Sequence, residues 1–486
     1  MQGVERDFFR TIRDAILSNP FGRTRQELDL VATGLPAETP LKEILERLVA
    51  KVGQHIHEVE SRQVELAAED RRLLEYGKLF YTFHLFCDAY DEHIRKQEVR
   101  GETCCQVVFA RDVLSMLTGY GFSEPDALRL FALFFQMRRA YYFIRTIAGE
   151  SRSVVGFRHA LWNNVFTGDI RLYNDYLWDR MEDFSTMILG ETGTGKGMAA
   201  AAIGRSGFIP FNPKTSTFSE SFAKAFIAIN LSQYPEQLIE SELFGHKKGA
   251  FTGAVDNHQG IFARCSPCGA IFLDEIGDVS VPVQIKLLQV LQSRTFAPVG
   301  SHKVERFQGR VIAATNRDLT ALRKLGAFRD DFYYRLCSDI IEVPPLRRRL
   351  AEHPGELRLL LEVTVRRILG KNSEEIVERV ETYIERHQPS GYSWPGNIRE
   401  LEQCIRRILL NNNYLWQQQS EDGSPQQLAR ELEQGECTAQ QLLTRYCGHL
   451  YRLHGTYEEV ARLTNLDRRT ARKYILAAIE ATKGNG

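Results

Sequence analysis

Apolar positions along the chain change their period twice. From residue 1 to about 150 they recur every three to four residues. Phe8, Phe9, Ile12, Ile16 and Leu17 share one helical face, and Ile44, Leu45, Leu48, Val49 and Val52 share another. Stretches 79–90 and 128–147 are rich enough in aromatic and aliphatic residues to read as buried helices. Between about 150 and 345, short apolar runs alternate with glycine-rich loops and helical stretches, the texture of a parallel α/β sheet. The expected strands are 187–189, 225–229, 270–273, 311–315 and 340–343. Residues 346–411 return to charged amphipathic helix, as a helical lid would. A polar linker is expected at 412–437, opening in the Asn-, Gln- and Ser-rich stretch 411–425. Residues 438–486 read as a last, small helical unit. The expectation is thus an α/β core with a helical lid at 151–411, flanked by all-α segments at 1–150 and 438–486.

Composition narrows this little. With 486 residues the chain has room for about three domains. Lys plus Arg equals Asp plus Glu, 62 each, so any nucleic-acid surface must be local. Nine cysteines, with only Cys104–Cys105 and Cys265–Cys268 close together, lack the spacing of a secreted disulfide scaffold. The N-terminus mixes charged and apolar residues unlike a signal peptide, and no apolar run nears the ~18 residues of a membrane span. A cytoplasmic protein without a membrane partner is expected.

The first chemistry-bearing motif is Gly190-Glu191-Thr192-Gly193-Thr194-Gly195-Lys196, placed between an apolar run and the helix former Met198-Ala-Ala-Ala-Ala-Ile203. Strand, glycine loop and helix in this order form a phosphate cradle. Backbone amides wrap the phosphates, the helix N-terminus adds positive potential, and Lys196 reaches the outer phosphates. Gly197 stands where the motif ordinarily carries a magnesium-binding hydroxyl. About 80 residues on, an apolar run ends in Asp274–Glu275. Carboxylates at that sheet edge suit Mg2+ binding by Asp274 and polarisation of the attacking water by Glu275. ATP and Mg2+ are the expected ligands, and a glycine-rich turn that binds nothing is the alternative.

The stretch Gly249-Ala250-Phe251-Thr252-Gly253-Ala254, after Glu242-Leu-Phe-Gly-His246, resembles the sigma-54-contacting loop of bacterial enhancer-binding proteins, AAA+ ATPases that activate transcription. An aromatic between small residues and two glycines suits a partner contact at a loop tip. The resemblance covers roughly 153–411 and the C-terminal unit. It implies a hexameric AAA+ ring that hydrolyses ATP and remodels sigma-54 RNA polymerase. By the same resemblance Asn230 is the switch asparagine that holds the catalytic Glu, and Asn316 is sensor I. Arg329 and Arg335 are arginine fingers toward a neighbouring subunit. Arg399 is the sensor II arginine, and Val154, Val155 and Gly156 flank the adenine. Three departures stand out. Gly197 replaces the family's usual Glu, Arg347-Arg348-Arg349 replaces Arg-Glu-Arg, and the segment 160–185 is longer and more aromatic than expected. Cys265-Ser-Pro-Cys268 reads as a structural turn, and Cys104–Cys105 as adjacent buried thiols.

At the end of the chain, 456–475 reads as a helix-turn-helix. Val460, Leu463, Leu466, Ala471 and Ile475 are its expected core, with Asn465 at the turn and Asp467 capping the next helix. That helix carries Arg468, Arg469, Thr470, Arg472 and Lys473, the expected contacts to an upstream double-stranded DNA site. It resembles a Fis-type domain. Residues 1–150 are the expected receiver of a signal, from an unknown ligand or protein, with no phosphoacceptor pattern legible. The rivals are an AAA+ remodeller of another client, and a DNA-binding regulator without activation.

Overall fold

A computed structural model describes residues 1–416 and 437–483. The chain divides into two units, 1–413 and 414–486. The first opens with eight helices: α1 (Gly3–Leu17), α2 (Arg23–Thr33), α3 (Leu41–Ser61), α4 (Ala68–Leu85), α5 (Cys87–Arg100), α6 (Ala110–Gly119), α7 (Glu124–Arg145) and α8 (Arg152–Phe166). Helices α1 to α4 enclose a core of their own around Phe9, Ile12, Leu48, Val52 and Phe80. Its tightest crossing is at Gly77, where a Cβ would stand 2.4 Å from the Phe9 ring.

Helix α7 begins at Ser123, whose hydroxyl accepts from the Asp126 amide at 3.3 Å, with Pro125 in its first turn. It has no clear polar face, because Leu130, Phe131, Phe134, Phe135, Phe143 and Ile144 bury it on several sides. The expected boundary near residue 150 does not interrupt packing. One apolar core runs from Tyr90 through α7 and α8 to Val343 in the sheet region. The join is also polar. Arg139, fully buried, donates to the carbonyls of Arg205 and Gly207, both at 2.6 Å, and so satisfies groups left open where a core helix ends. Burial pulls its guanidinium down to about 9.

The sheet is parallel throughout, in the order β4 (Phe226–Asn230), β5 (Ala270–Asp274), β8 (Arg310–Thr315), β1 (Thr186–Leu189) and β9 (Asp339–Glu342). The central strands read as unbroken apolar runs because both faces are covered. Edge strands β4 and β9 begin and end one residue away from their apolar runs, since pairing rather than hydrophobicity sets their limits. Two short hairpins have no counterpart in the sequence reading: β2 (Phe211–Asn212) with β3 (Thr217–Phe218), and β6 (Thr295–Phe296) with β7 (Glu305–Arg306). The first is held by the Phe135–Phe218 stack, with ring centroids 3.9 Å apart.

The remaining helices of this unit are α9 (Ile170–Leu172), α10 (Lys196–Gly204), α11 (Glu236–Phe244), α12 (Ile261–Arg264), α13 (Val281–Ser293), α14 (Leu319–Lys324) and α15 (Asp330–Leu336), followed by the lid helices α16 (Leu346–Glu352), α17 (Glu356–Leu369), α18 (Glu374–His387) and α19 (Asn397–Asn411). The aromatic segment 160–185 is not a loop. It holds the end of α8, then α9, a π-turn at Tyr173–Leu177 and a 3-10 turn at Met181–Asp183.

In the second unit, the helices Ala439–His454, Tyr457–Thr464 and Arg468–Lys483 surround Cys447, Leu450, Val460, Ala471 and Ile475. Leu466 packs partly against them, whereas Leu463 is 42% exposed and leaves the expected core. Tyr457, Val460 and Ala461 define the inward face of its short helix, and Leu463 falls off the edge of that face. The expected linker, 412–437, falls mostly outside the described residues.

Candidate nucleotide site and contact loop

The glycine loop joins β1 to α10. Gly193 and Gly195 are left-handed, at φ 78° and 104°, a conformation in which a side chain is strained. Gly193 has a second reason to lack one: a Cβ would stand 2.3 Å from the Gly396 carbonyl of the lid. The Lys196 ammonium donates to the Gly190 and Glu191 carbonyls at 3.0 and 3.4 Å and lies 3.9 Å from Glu275 Oε1. At Gly197 only Phe272 comes within 4 Å of a built Cβ, at 3.9 Å, so space does not demand glycine there.

Strand ends bring the rest together. Burial raises the Asp274 carboxyl above its usual range. Glu275 turns back at φ 56°, and its Oε2 accepts from the Asn316 amide at 3.3 Å. The Asn316 side chain donates to Thr192 Oγ1 at 2.8 Å, so the end of β8 touches both the phosphate loop and Glu275. Asn230 behaves differently from the expectation. Its side-chain N–H donates to Asp274 Oδ2 at 3.3 Å, and its oxygen accepts from the Ser232 amide and hydroxyl. It therefore holds Asp274 rather than Glu275, because parallel pairing sets Asn230 opposite Asp274.

The lid closes the site from one side. Arg399 lies in the first turn of α19, its Cβ 3.0 Å from a Cβ built on Gly193. Asn397, which the sequence reading passed over, is fully buried and left-handed at φ 52°. Its side chain donates to Glu191 Oε2 and the Thr192 carbonyl, both at 3.1 Å, and accepts from the Leu346 amide at 2.8 Å. Its one local signal is the residue type, since Asn enters the left-handed region more readily than most. Arg347 forks onto Glu191 at 2.5 and 2.7 Å and holds that carboxyl below its usual range. The three arginines of the departing motif all have acidic partners, since Arg348 meets Glu352 and Arg349 meets Glu356. Val154, Val155 and Gly156 sit in the first turns of α8, where the Ser153 amide donates to Glu352 at 2.6 Å.

The two proposed fingers part company. Arg329 is half-exposed and pairs with Asp331 at 2.7 Å. Arg335 is half-buried and donates twice to the Leu291 carbonyl, at 2.8 and 2.9 Å, where it closes the end of α13. Local helix capping thus occupies the second arginine.

Residues 249–254 form a tight tip, with Gly249 and Gly253 left-handed and the Gly249 amide donating to the Ala254 carbonyl at 2.9 Å. Thr252 and Gly253 are exposed. Phe251, expected to stand free, is half-buried with its ring 4.9 Å from His246. His246 is itself fixed by Ser241 at 2.6 Å and by two backbone bonds to His258. Loop 297–304 braces the stretch of chain leading into this tip, the Val299 amide donating to the Gly245 carbonyl at 2.9 Å and its carbonyl accepting from the Lys247 amide at 3.0 Å.

Cys265 and Cys268 are partly buried free thiols, and burial pushes Cys265 up to about 12, as fits a turn rather than a reactive pair. Cys104 and Cys105 are likewise free and only partly buried. In the C-terminal unit Asn465 is left-handed at φ 53°, and Asp467 accepts from the Thr470 amide and hydroxyl. Arg468 is exposed but pairs with Glu458 at 2.6 Å. Arg469, Arg472 and Lys473 are exposed on the same helix.

A parallel sheet with a glycine-rich phosphate loop, an Asp-Glu strand end, an asparagine on the adjoining strand end and a helical lid defines an AAA+ core. Residues 177–342 match the family described as the Sigma-54 interaction domain. The chain is 34% identical over 330 residues to the regulatory protein AtoC of Escherichia coli, covering 67% of this chain and 63% of that one. It is 42% identical over 230 residues to the sigma54-dependent transcriptional regulator SfnR of Pseudomonas fluorescens, covering 46% and 56%. It spans less than two thirds of the length of these relatives. A crystal structure of NtrX from Brucella abortus aligns over 76% of this chain and 79% of that one, at 19% identity and a TM-score of 0.41.

Proposed function

We propose that the chain is a cytoplasmic, sigma-54-dependent transcriptional regulator that hydrolyses ATP and spends the cycle moving the 249–254 loop against sigma-54 RNA polymerase. One observation carries this reading. The loop is inserted between β4 and β5, whose last residues, Asn230 and Asp274, are hydrogen-bonded at 3.3 Å. A change of charge beside Asp274 is thereby felt at Asn230, and the chain runs on from Asn230 through α11 into the loop.

In this reading Gly190–Gly195 amides and Lys196 hold the phosphates, and Glu275 orients the attacking water. Asn316 senses the outer phosphate from its place between Thr192 and Glu275. Asp274 fits Mg2+, a hard cation content with one or two carboxylates, phosphate oxygens and water, and the ion would neutralise phosphate charge. With Gly197 lacking a hydroxyl, Thr192 and Thr194 are the nearest hydroxyls on the loop. Arg329, half-exposed on a rim, serves as finger toward the next subunit of a hexamer, where a guanidinium spreads the charge of the transferring phosphoryl group. Arg335 positions that rim through α13. Arg399 reads nucleotide state from the lid, and the α8 turn with Val155 and Gly156 flanks the base. The helix Arg468–Lys483 is the recognition helix of a helix-turn-helix, with Arg469, Arg472 and Lys473 on upstream DNA.

The test is capture of purified sigma-54 by the full chain with ADP–aluminium fluoride, alongside open-complex formation at a sigma-54 promoter. Thr252→Ala, outside the nucleotide site, is expected to keep ATP turnover and lose both readouts. No capture by an assembled, hydrolysing wild-type protein overturns the assignment.

A further inference from the structure

The aromatic segment 160–185 plays no part in the nucleotide site or the contact loop. It builds one wall of a cavity of about 230 Å3 where β5 and β8 begin and α10 ends. Trp178 and Met181 come from this segment, Gln136 from α7, Phe208 from beyond α10, and Arg310 from the first position of β8. The nucleotide site lies at the other ends of these elements, since α10 begins at Lys196 and β5 ends at Asp274.

The cavity is built and partly pre-ordered. The Trp178 and Phe208 rings meet edge-on, centroids 4.7 Å apart. Gln136 is held at both ends: its N–H donates to the Ser206 carbonyl and its oxygen accepts from the Tyr173 hydroxyl, each at 2.9 Å. Arg310 is the unusual member. It donates to the Phe184 carbonyl at 2.9 Å, and to the Asn164 carbonyl, Asn164 Oδ1 and Thr186 Oγ1 at 2.9–3.1 Å. All these acceptors are neutral, and among the described residues no carboxylate lies within ion-pair distance. Asp339 acts on its charge through space without pairing with it, and accepts from Asn164 at 2.6 Å. Asp179 and Glu182 also line the cavity without pairing with Arg310, Asp179 in solvent that screens it. Burial pulls the Arg310 guanidinium down to about 10, as expected of a cation short of a counter-ion.

We propose that this cavity binds a small organic carboxylate with an apolar body the size of one ring, its anion set against Arg310. The size agrees, since an apolar cavity of ~150 Å3 already takes benzene. The chemistry agrees as well, because a forked guanidinium pairs with carboxylates in preference to neutral acceptors. An occupant bears on the end of α10, the helix whose first residue is Lys196. The binding claim itself does not depend on ATP hydrolysis.

Isothermal titration of the full chain with benzoate, phenylacetate and hexanoate, against neutral benzamide, tests it. At least one carboxylate is expected to bind saturably and more tightly than benzamide. Arg310→Gln should weaken the carboxylate by at least about tenfold and leave benzamide unchanged, the loss of a charged hydrogen bond. Met181→Trp fills the cavity from a half-buried position and should abolish binding with the melting temperature retained. If Arg310→Gln does not fold, Met181→Trp decides alone. No saturable binding by any of the three acids, or binding that survives Met181→Trp, overturns the proposal.

Discussion

Glu356→Ala removes the centre of the latch between the helical region and the lid. Glu356 is fully buried. Its Oε1 accepts from Arg349 Nε at 2.8 Å and Nη2 at 2.7 Å. Its Oε2 accepts from the backbone amides of Glu150 at 2.8 Å and Ser151 at 3.0 Å. Alanine leaves the buried Arg349 with the Ala148 carbonyl at 2.6 Å as its remaining close acceptor, and two amides without theirs. Breaking a buried pair from one side costs about 3–5 kcal/mol. An orphaned amide costs roughly 1–3 kcal/mol. These effects overlap, because water entering the vacated space serves both, so a net loss of ~4 kcal/mol is expected. The double variant Arg349→Met, Glu356→Leu removes both charges and leaves only the amides, so it should lose about 2 kcal/mol. Urea unfolding followed by tryptophan fluorescence measures both. A Glu356→Ala loss under about 1 kcal/mol, or a double variant no more stable than the single one, refutes the reasoning.

Three further outcomes are expected. Lys196→Ala should abolish nucleotide binding, while Glu275→Gln keeps binding and loses at least about a hundredfold in turnover; nucleotide titration and steady-state ATPase assays separate them, and normal turnover in Glu275→Gln would remove its assigned role. Arg329→Ala should suppress the rise of specific ATPase activity with protein concentration without lowering the melting temperature, whereas Arg335→Ala, which uncaps α13 at Leu291, should lower that temperature. His93, 5% exposed among Phe109, Phe135 and Phe218, is pushed down to about 4 from 6.5 by burial. The unfolded chain therefore takes up its proton first. Stability is unaffected above pH 6.5 and falls as pH drops from 6.5 toward 4, by about 3 kcal/mol in all. His93→Leu should flatten that part of a urea-midpoint-against-pH curve, and an unchanged slope would show that His93 is not its source.

Short-range chemistry was legible in the sequence. Glycines before Lys196 mark a turn only such residues can make, and an apolar run ending in Asp274–Glu275 marks a strand reaching a sheet edge. Asn465 and Asp467 mark a turn and a cap within three residues of one another. Each is decided by backbone conformations and hydrogen bonds spanning a few positions, so local residue order determines it. What the residues meet across long separations was not legible. Whether α7 is amphipathic or covered on several sides depends on the sheet and hairpins that arrive later in the chain. Parallel register, not motif, gives Asn230 to Asp274. Leu291 claims Arg335, and His246 takes Phe251 from the free tip. Asn397, Arg347 and Glu356 tie the lid to the phosphate loop and to residues 150 and 151 across as many as 206 positions. No local rule of periodicity or propensity carries such pairings. They follow from burial, which leaves each polar group only the partners that the completed packing sets beside it.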